Sequence, residues 1–136
     1  QDFNTPEAFD ALHKKGYKIV ATCPHQDDFT PEELPLDEPV AIVFGTEKTG
    51  LSEYALEHAD MYVKIPMFGF TESYNISVSA ALMMYTLMQR LHNSDINWHL
   101  TEAEKEELRF DWTKKTIKRF WDYENKFREI HPELYK

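Results

Sequence analysis

Cysteine is nearly absent from this chain of 136 residues. Cys23 stands alone, so no internal disulfide can form, and the chain reads as one suited to a reducing, cytoplasmic compartment. No charged-then-apolar leader opens it. It begins at Gln1 rather than methionine, as a trimmed protein or a piece of a longer one would. Long apolar runs are missing as well. The longest, residues 76–88, is too short to cross a bilayer, so no membrane partner is expected. No internal repeat and no low-complexity tract is present.

Basic residues are scarce. The formal net charge is −9, an awkward balance for a protein that binds nucleic acid. The deficit is uneven. Residues 1–92 carry six basic and fourteen acidic side chains, whereas residues 93–136 carry nine and ten. A basic surface has to come from the C-terminal segment, from sequence outside the chain, or from a partner. Metal-ligand spacing is absent too: His13, His25, His58, His92, His99 and His131 are scattered, and no metal is expected. What remains is 42% hydrophobic and 29% charged, the balance of a folded globular domain rather than a disordered chain.

Local patterns predict alternating helices and strands. Thr5-Pro6-Glu7 offers an N-cap, a proline at the first helical position and an acid near the positive end of the dipole. That helix ends before Gly16. Residues 17–22 read as a strand. Residues 24–39, with four prolines among clustered acids, read as an exposed loop. Val40-Ala41-Ile42-Val43-Phe44 is the continuous apolar run of a fully buried, parallel strand. Residues 51–58 form a short helix capped by Ser52, and residues 61–65 a strand stopped by Pro66. Residues 75–91 form a helix apolar almost all round, which needs partners on both sides. Residues 93–100 link to two further helices, the first opened by Thr101 and the last carrying Ile117, Phe120, Trp121 and Phe127 on one face. Two domains are expected, residues 1–92 and 93–136, the first an α/β fold.

The densest motif is Phe44-Gly45-Thr46-Glu47-Lys48-Thr49-Gly50-Leu51-Ser52. A glycine-bounded loop between a buried strand and a helix lets backbone approach a ligand. Gly45 and Gly50 have the gap of a phosphate-binding loop, but Leu51 stands where that loop requires lysine. Taken singly, the motif is also compatible with a strand–turn–helix corner that binds nothing. Downstream, Ile65-Pro66-Met67 and Gly69 are followed by Ser73-Tyr74-Asn75-Ile76-Ser77-Val78-Ser79-Ala80-Ala81. This ordered series, with the distance from Gly45 to Ile65, resembles the second and third motifs of the SpoU/TrmH (SPOUT) RNA ribose 2′-O-methyltransferases. The resemblance covers residues 4–91. The acidic helical tail with Trp112 is similar to the TrmH-type tRNA enzymes in particular.

The resemblance implies a SPOUT-type parallel sheet with a C-terminal trefoil knot, N-terminally truncated, followed by a helical extension. It implies a homodimer, S-adenosylmethionine as cofactor, and RNA as substrate, tRNA before rRNA. Thr22, Gly45, Ile65, Met67 and Tyr74 then fall at cofactor-binding positions. Leucine is common where Tyr74 stands. Glu47, Ser73 and Asn75 fall at the polar positions of the active site. Read from the residues alone, Glu47 is a solvated loop acid, Ser73 a helix cap and Asn75 a turn residue. In the family an arginine of an earlier motif, with an RNA phosphate, handles the 2′-hydroxyl proton. That motif is not among these residues, so the chain alone is expected to lack turnover. Lys114, Lys115, Lys118 and Arg119 have helical spacing on a face away from Phe120 and Phe127. They suit RNA phosphates or merely a solvated face. Two other functions stay open: a non-catalytic dimerising module that binds RNA or cofactor, and an unrelated nucleotide-binding α/β domain.

Overall fold

The computed structural model describes residues 4–26, 28–71 and 73–135. Three short apolar segments make the sheet: β1 (Lys18–Thr22), β2 (Val40–Val43) and β3 (Met61–Val63). They pair in the order β2–β1–β3, and both pairings are parallel. Lys18 stands opposite Val40, and Val20 opposite Met61. The central strand is buried on both faces. Ile19, Val20 and Ala21 are fully inaccessible, as a parallel sheet covered on each side requires.

Successive side chains along β1 enter different cores. Ile19 packs with Phe9 and Ala55, from α1 (Thr5–Lys14) and α2 (Glu53–Glu57), and Val43 joins them from β2. Val20 packs with Val63 and Leu34, and with Met83 and Leu87 of α3 (Ile76–His92). Leu34 lies in the proline-rich segment, which is therefore not simply an exposed loop. Arg90 of α3 holds that segment by donating to the carbonyls of Pro31 (2.8 Å) and Leu34 (2.7 Å). The Lys64 amide donates to the carbonyl of Phe29 at 2.9 Å, and Phe29 forms a parallel bridge with Val63.

Helix ends follow local chemistry, with one shift from expectation. The cap of α1 is Asn4, not Thr5: its side chain accepts from the Glu7 amide at 3.0 Å. At the other end Gly16 takes φ 81°, its amide donating to His13 and the Tyr17 amide donating back to Leu12, a Schellman closure. Ser52 caps α2 as expected. In α3 only one face is covered: Met83 and Leu87 are buried, while Val78, Leu82, Met84 and Tyr85 are exposed.

The chain divides into two compact units, residues 1–96 and 97–136. The second consists of α4 (Glu102–Thr116), α5 (Phe120–Ile130) and a 3₁₀ turn (Pro132–Tyr135). Thr101 and Glu104 form a reciprocal capping box at the start of α4. The helix ends at Ile117, which takes extended backbone as the C-cap, and Arg119 adopts φ 64° before α5. Ile117 is thus no part of the last helix, contrary to its expected place on the Phe120 face. Phe110 of α4 meets Phe120 of α5 edge-on, centroids 5.7 Å apart. No helix among the described residues is long and apolar enough to cross a membrane.

Candidate functional site

The C-terminal ends of parallel strands are where α/β sheets place their ligands, because the connecting loops diverge there. Here those ends surround a cleft of about 420 Å³. Thr22 closes β1, Gly45 follows β2, and Ile65 and Met67 follow β3; all four line it. Leu51 and Leu56 add apolar wall, and Tyr74 and Ser73 close it from the segment before α3. The size lies in the range of small-molecule sites, about 300–1,000 Å³.

The loop after β2 is tied shut on itself. The Thr46 amide donates to the Gly50 carbonyl at 2.9 Å, and the Gly50 amide donates to the Thr46 carbonyl at 3.0 Å. The hydroxyls of Thr46 and Thr49 are 2.8 Å apart, and the Thr49 amide donates to the Thr46 hydroxyl. Closure brings the loop's return strand onto Gly45. A Cβ there would stand 2.3 Å from the Gly50 carbonyl carbon and 2.4 Å from the Leu51 nitrogen, so only glycine fits. Gly50 is required for another reason, its φ of 67°.

At the tip of this loop Glu47 accepts a 2.5 Å hydrogen bond from the side-chain amide of Asn75. The carbonyl oxygen of the same Asn75 side chain accepts from the Ser77 amide at 2.9 Å and caps α3. One asparagine thus begins the helix and orients the carboxylate, neither a passive turn residue nor a free one. The helix cap is Asn75 rather than Ser73. Among the described residues Ser73 makes no side-chain hydrogen bond, leaving its hydroxyl available at the cleft. Thr22 differs: its hydroxyl donates to the Val43 carbonyl at 3.0 Å. That bond ties β1 to β2.

The structure therefore gathers Thr22, Gly45, Glu47, Ile65, Met67, Ser73 and Tyr74 around one cleft, with Asn75 behind Glu47. It also brings in His25, Lys48 and Lys64, which the motif reading passed over. Lys48 adjoins Glu47 in sequence and was visible there; His25 and Lys64 are brought in by the fold. Among the described residues no group of three or more His, Cys, Asp or Glu is placed to hold a metal ion.

The C-terminal cations are arranged differently from expectation. Lys114 and Lys115 occupy the last turn of α4, but Lys118 and Arg119 fall in the break that follows, so the four share no helical face. Lys114 pairs with Asp111 at 2.6 Å and lies over the Phe110 ring, itself in edge contact with Phe120. Arg119 pairs with Asp122 at 2.6 Å.

Comparison with known proteins gives a consistent result. The chain is 48% identical over 122 residues to the tRNA (guanosine(18)-2′-O)-methyltransferase of Borreliella burgdorferi, a match spanning 90% of this chain and 56% of that protein. The crystal structure of the A. aeolicus TrmH/SpoU tRNA modifying enzyme superposes with a TM-score of 0.73 at 26% identity, over 86% of this chain and 61% of that one. The SpoU methyltransferase AviRb from Streptomyces viridochromogenes, solved in complex with AdoMet, shares the fold at TM-score 0.61 and 23% identity, over 67% of this chain and 38% of its own. The chain thus spans a little over half the length of the Borreliella relative. Residues 3–85 match the SpoU rRNA Methylase family, a stretch that contains β1 to β3, the self-closed glycine loop and the Glu47–Asn75 pair. By that match the chain belongs to the SpoU rRNA methylase family.

Proposed function

We propose that this chain is the cofactor-binding portion of an S-adenosylmethionine-dependent RNA ribose 2′-O-methyltransferase acting on tRNA. The observation that carries the reading is the carboxylate of Glu47, held by the cap residue of α3 at the mouth of a cleft built from strand ends and loop backbone. The cleft suits the cofactor. Its volume is adequate, and apolar walls from Leu51, Leu56, Ile65 and Met67 alternate with backbone of the Gly45 loop. An adenine edge needs donors and acceptors rather than charge, which backbone supplies.

S-adenosylmethionine supplies a methyl group already activated on its sulfonium. The protein's task is then chiefly alignment. Gly45 and Ile65 provide backbone and apolar contact, and Tyr74 and Met67 bound the pocket. Glu47, Ser73 and Asn75 hold the ribose: the carboxylate accepts from a hydroxyl, and the Ser73 hydroxyl is free to donate. The 2′-hydroxyl must also lose a proton to become a nucleophile. We assign that step to a group beyond this chain, which covers little more than half of its relative. In this reading residues 1–92 form the methyltransferase domain, with its C-terminal part threaded into the family's trefoil knot, and residues 93–136 are its helical extension. It also has two copies pairing through α3 and the enzyme working in the cytoplasm, where tRNA is.

The test is methyl transfer from labelled S-adenosylmethionine to unmodified bulk tRNA, with cofactor binding followed by calorimetry. The chain should bind cofactor. Transfer should appear when the part of a full-length relative that this chain does not cover is supplied. Asn75→Asp should then lower turnover by on the order of 10²-fold or more, because a carboxylate replaces the donor that faces Glu47. The helix cap survives that change, since aspartate caps as well as asparagine. Failure to bind the cofactor would overturn the reading, and methylation by the chain alone would overturn the assignment of the proton acceptor.

A further inference from the structure

The first compact unit is strongly acidic: residues 1–96 carry fifteen acidic and six basic side chains. The cleft does not share that balance. Among the described residues lining it, Glu47 is the single carboxylate, set against Lys48 and Lys64. The other four cations of the unit are placed elsewhere. Lys14 and Lys15 stand at the end of α1, Lys18 pairs with Glu38, and Arg90 holds the carbonyls of Pro31 and Leu34. Lys48 has no ion pair or hydrogen bond through its side chain among the described residues. Its sequence neighbour Glu47 is turned to Asn75 instead. The loop that carries it is closed by two backbone and two hydroxyl hydrogen bonds, so little backbone entropy is lost when it meets a ligand.

We propose that Lys48 is a positioning residue that receives the RNA phosphodiester on the 3′ side of the methylated ribose. The inference rests on the function proposed above. In RNA the 2′-hydroxyl and the 3′-phosphate sit on adjacent carbons of one ribose. A carboxylate that addresses the hydroxyl therefore stands close to a phosphate it repels. Glu47 and Lys48 are adjacent in the same way, and an unpaired ammonium there offsets the repulsion and fixes which side of the ribose faces the cleft.

The experiment measures tRNA affinity against salt concentration, and cofactor affinity separately, for the protein and its Lys48→Gln and Lys48→Arg variants. Lys48→Gln should weaken tRNA binding several-fold at low salt and reduce the slope of log affinity on log salt by about one. Lys48→Arg should retain the slope, and both variants should bind S-adenosylmethionine like the parent. An unchanged slope in Lys48→Gln overturns the proposal. So does a loss of cofactor affinity with the RNA slope intact, which would place Lys48 on the methionine carboxylate. A parent protein that binds neither ligand overturns instead the function on which the proposal rests.

Discussion

At the scale of single residues, Gly45 and Asn75 show how one position serves structure and site together. Gly45 is a glycine because the closed loop leaves no room for a Cβ, which would stand 2.3 Å from backbone. Backbone cannot swing aside as a flexible side chain can, so Gly45→Ala has to open the loop. We expect a loss of about 1–3 kcal/mol in stability, the usual cost of overpacking, with cofactor affinity falling more than tenfold. Thermal denaturation and calorimetry would check both, and unchanged affinity would show that the loop's shape does not matter for binding. Both residues were legible in the sequence as members of spaced motifs. Their physical reasons were not: the Gly45 clash is with residues five and six positions away, and the Asn75 donor faces a carboxylate 28 positions earlier.

At the scale of elements, two polar contacts hold helices and loops to the sheet. Asp60 stands just before β3. One oxygen accepts from the Ile19 amide at 2.7 Å and lies 2.8 Å from His13 Nε2. Burial pushes the Asp60 carboxyl up, but the Ile19 amide, His13 and the charge of Lys18 outweigh it and hold it below its ordinary value. A depressed carboxyl stabilises the fold above its unfolded-state value of about 3.9. That contribution is lost as pH falls through the lower folded value. Urea midpoints taken from pH 6 down to pH 3 should therefore fall more steeply for the parent than for Asp60→Asn; parallel curves would contradict the linkage. Arg90 makes the second contact. Arg90→Ala leaves the carbonyls of Pro31 and Leu34 without their donor, a cost of about 1–3 kcal/mol. Limited proteolysis should then cut within residues 24–39 well before the rest of the chain, and an unaltered digestion pattern would assign the anchoring to Leu34 burial alone.

At the scale of the whole molecule, the exposed side of α3 remains to be accounted for. Met83 and Leu87 face the core, while Leu82 is 40% and Tyr85 68% exposed on a helix with almost no charge. We propose that a second copy covers that side, since an exposed apolar helix face of this kind suits pairing about a two-fold axis. Sedimentation at micromolar concentration should show a dimer for the parent and a monomer for Tyr85→Glu, with the circular dichroism of the fold retained. A monomeric parent would require another cover for the helix.

The sequence by itself determined the kinds of elements, their order and the motif positions. Apolar runs, caps and glycines act over a few residues, and Ser52, Gly16 and the helix start at Thr101 needed no distant partner to be read. It also carried the family, because spacing between motifs survives in one dimension. Only the tertiary structure decided which groups meet: that Thr22 gives its hydroxyl to β2, that Leu34 leaves the loop for the core, and that His25 and Lys64 reach the cleft. It likewise broke the C-terminal helix at residues 117–119, where the Phe110–Phe120 contact turns the chain back. Pairings of that kind depend on parallel strands joined through long crossovers, and no local pattern encodes which distant residue will arrive opposite.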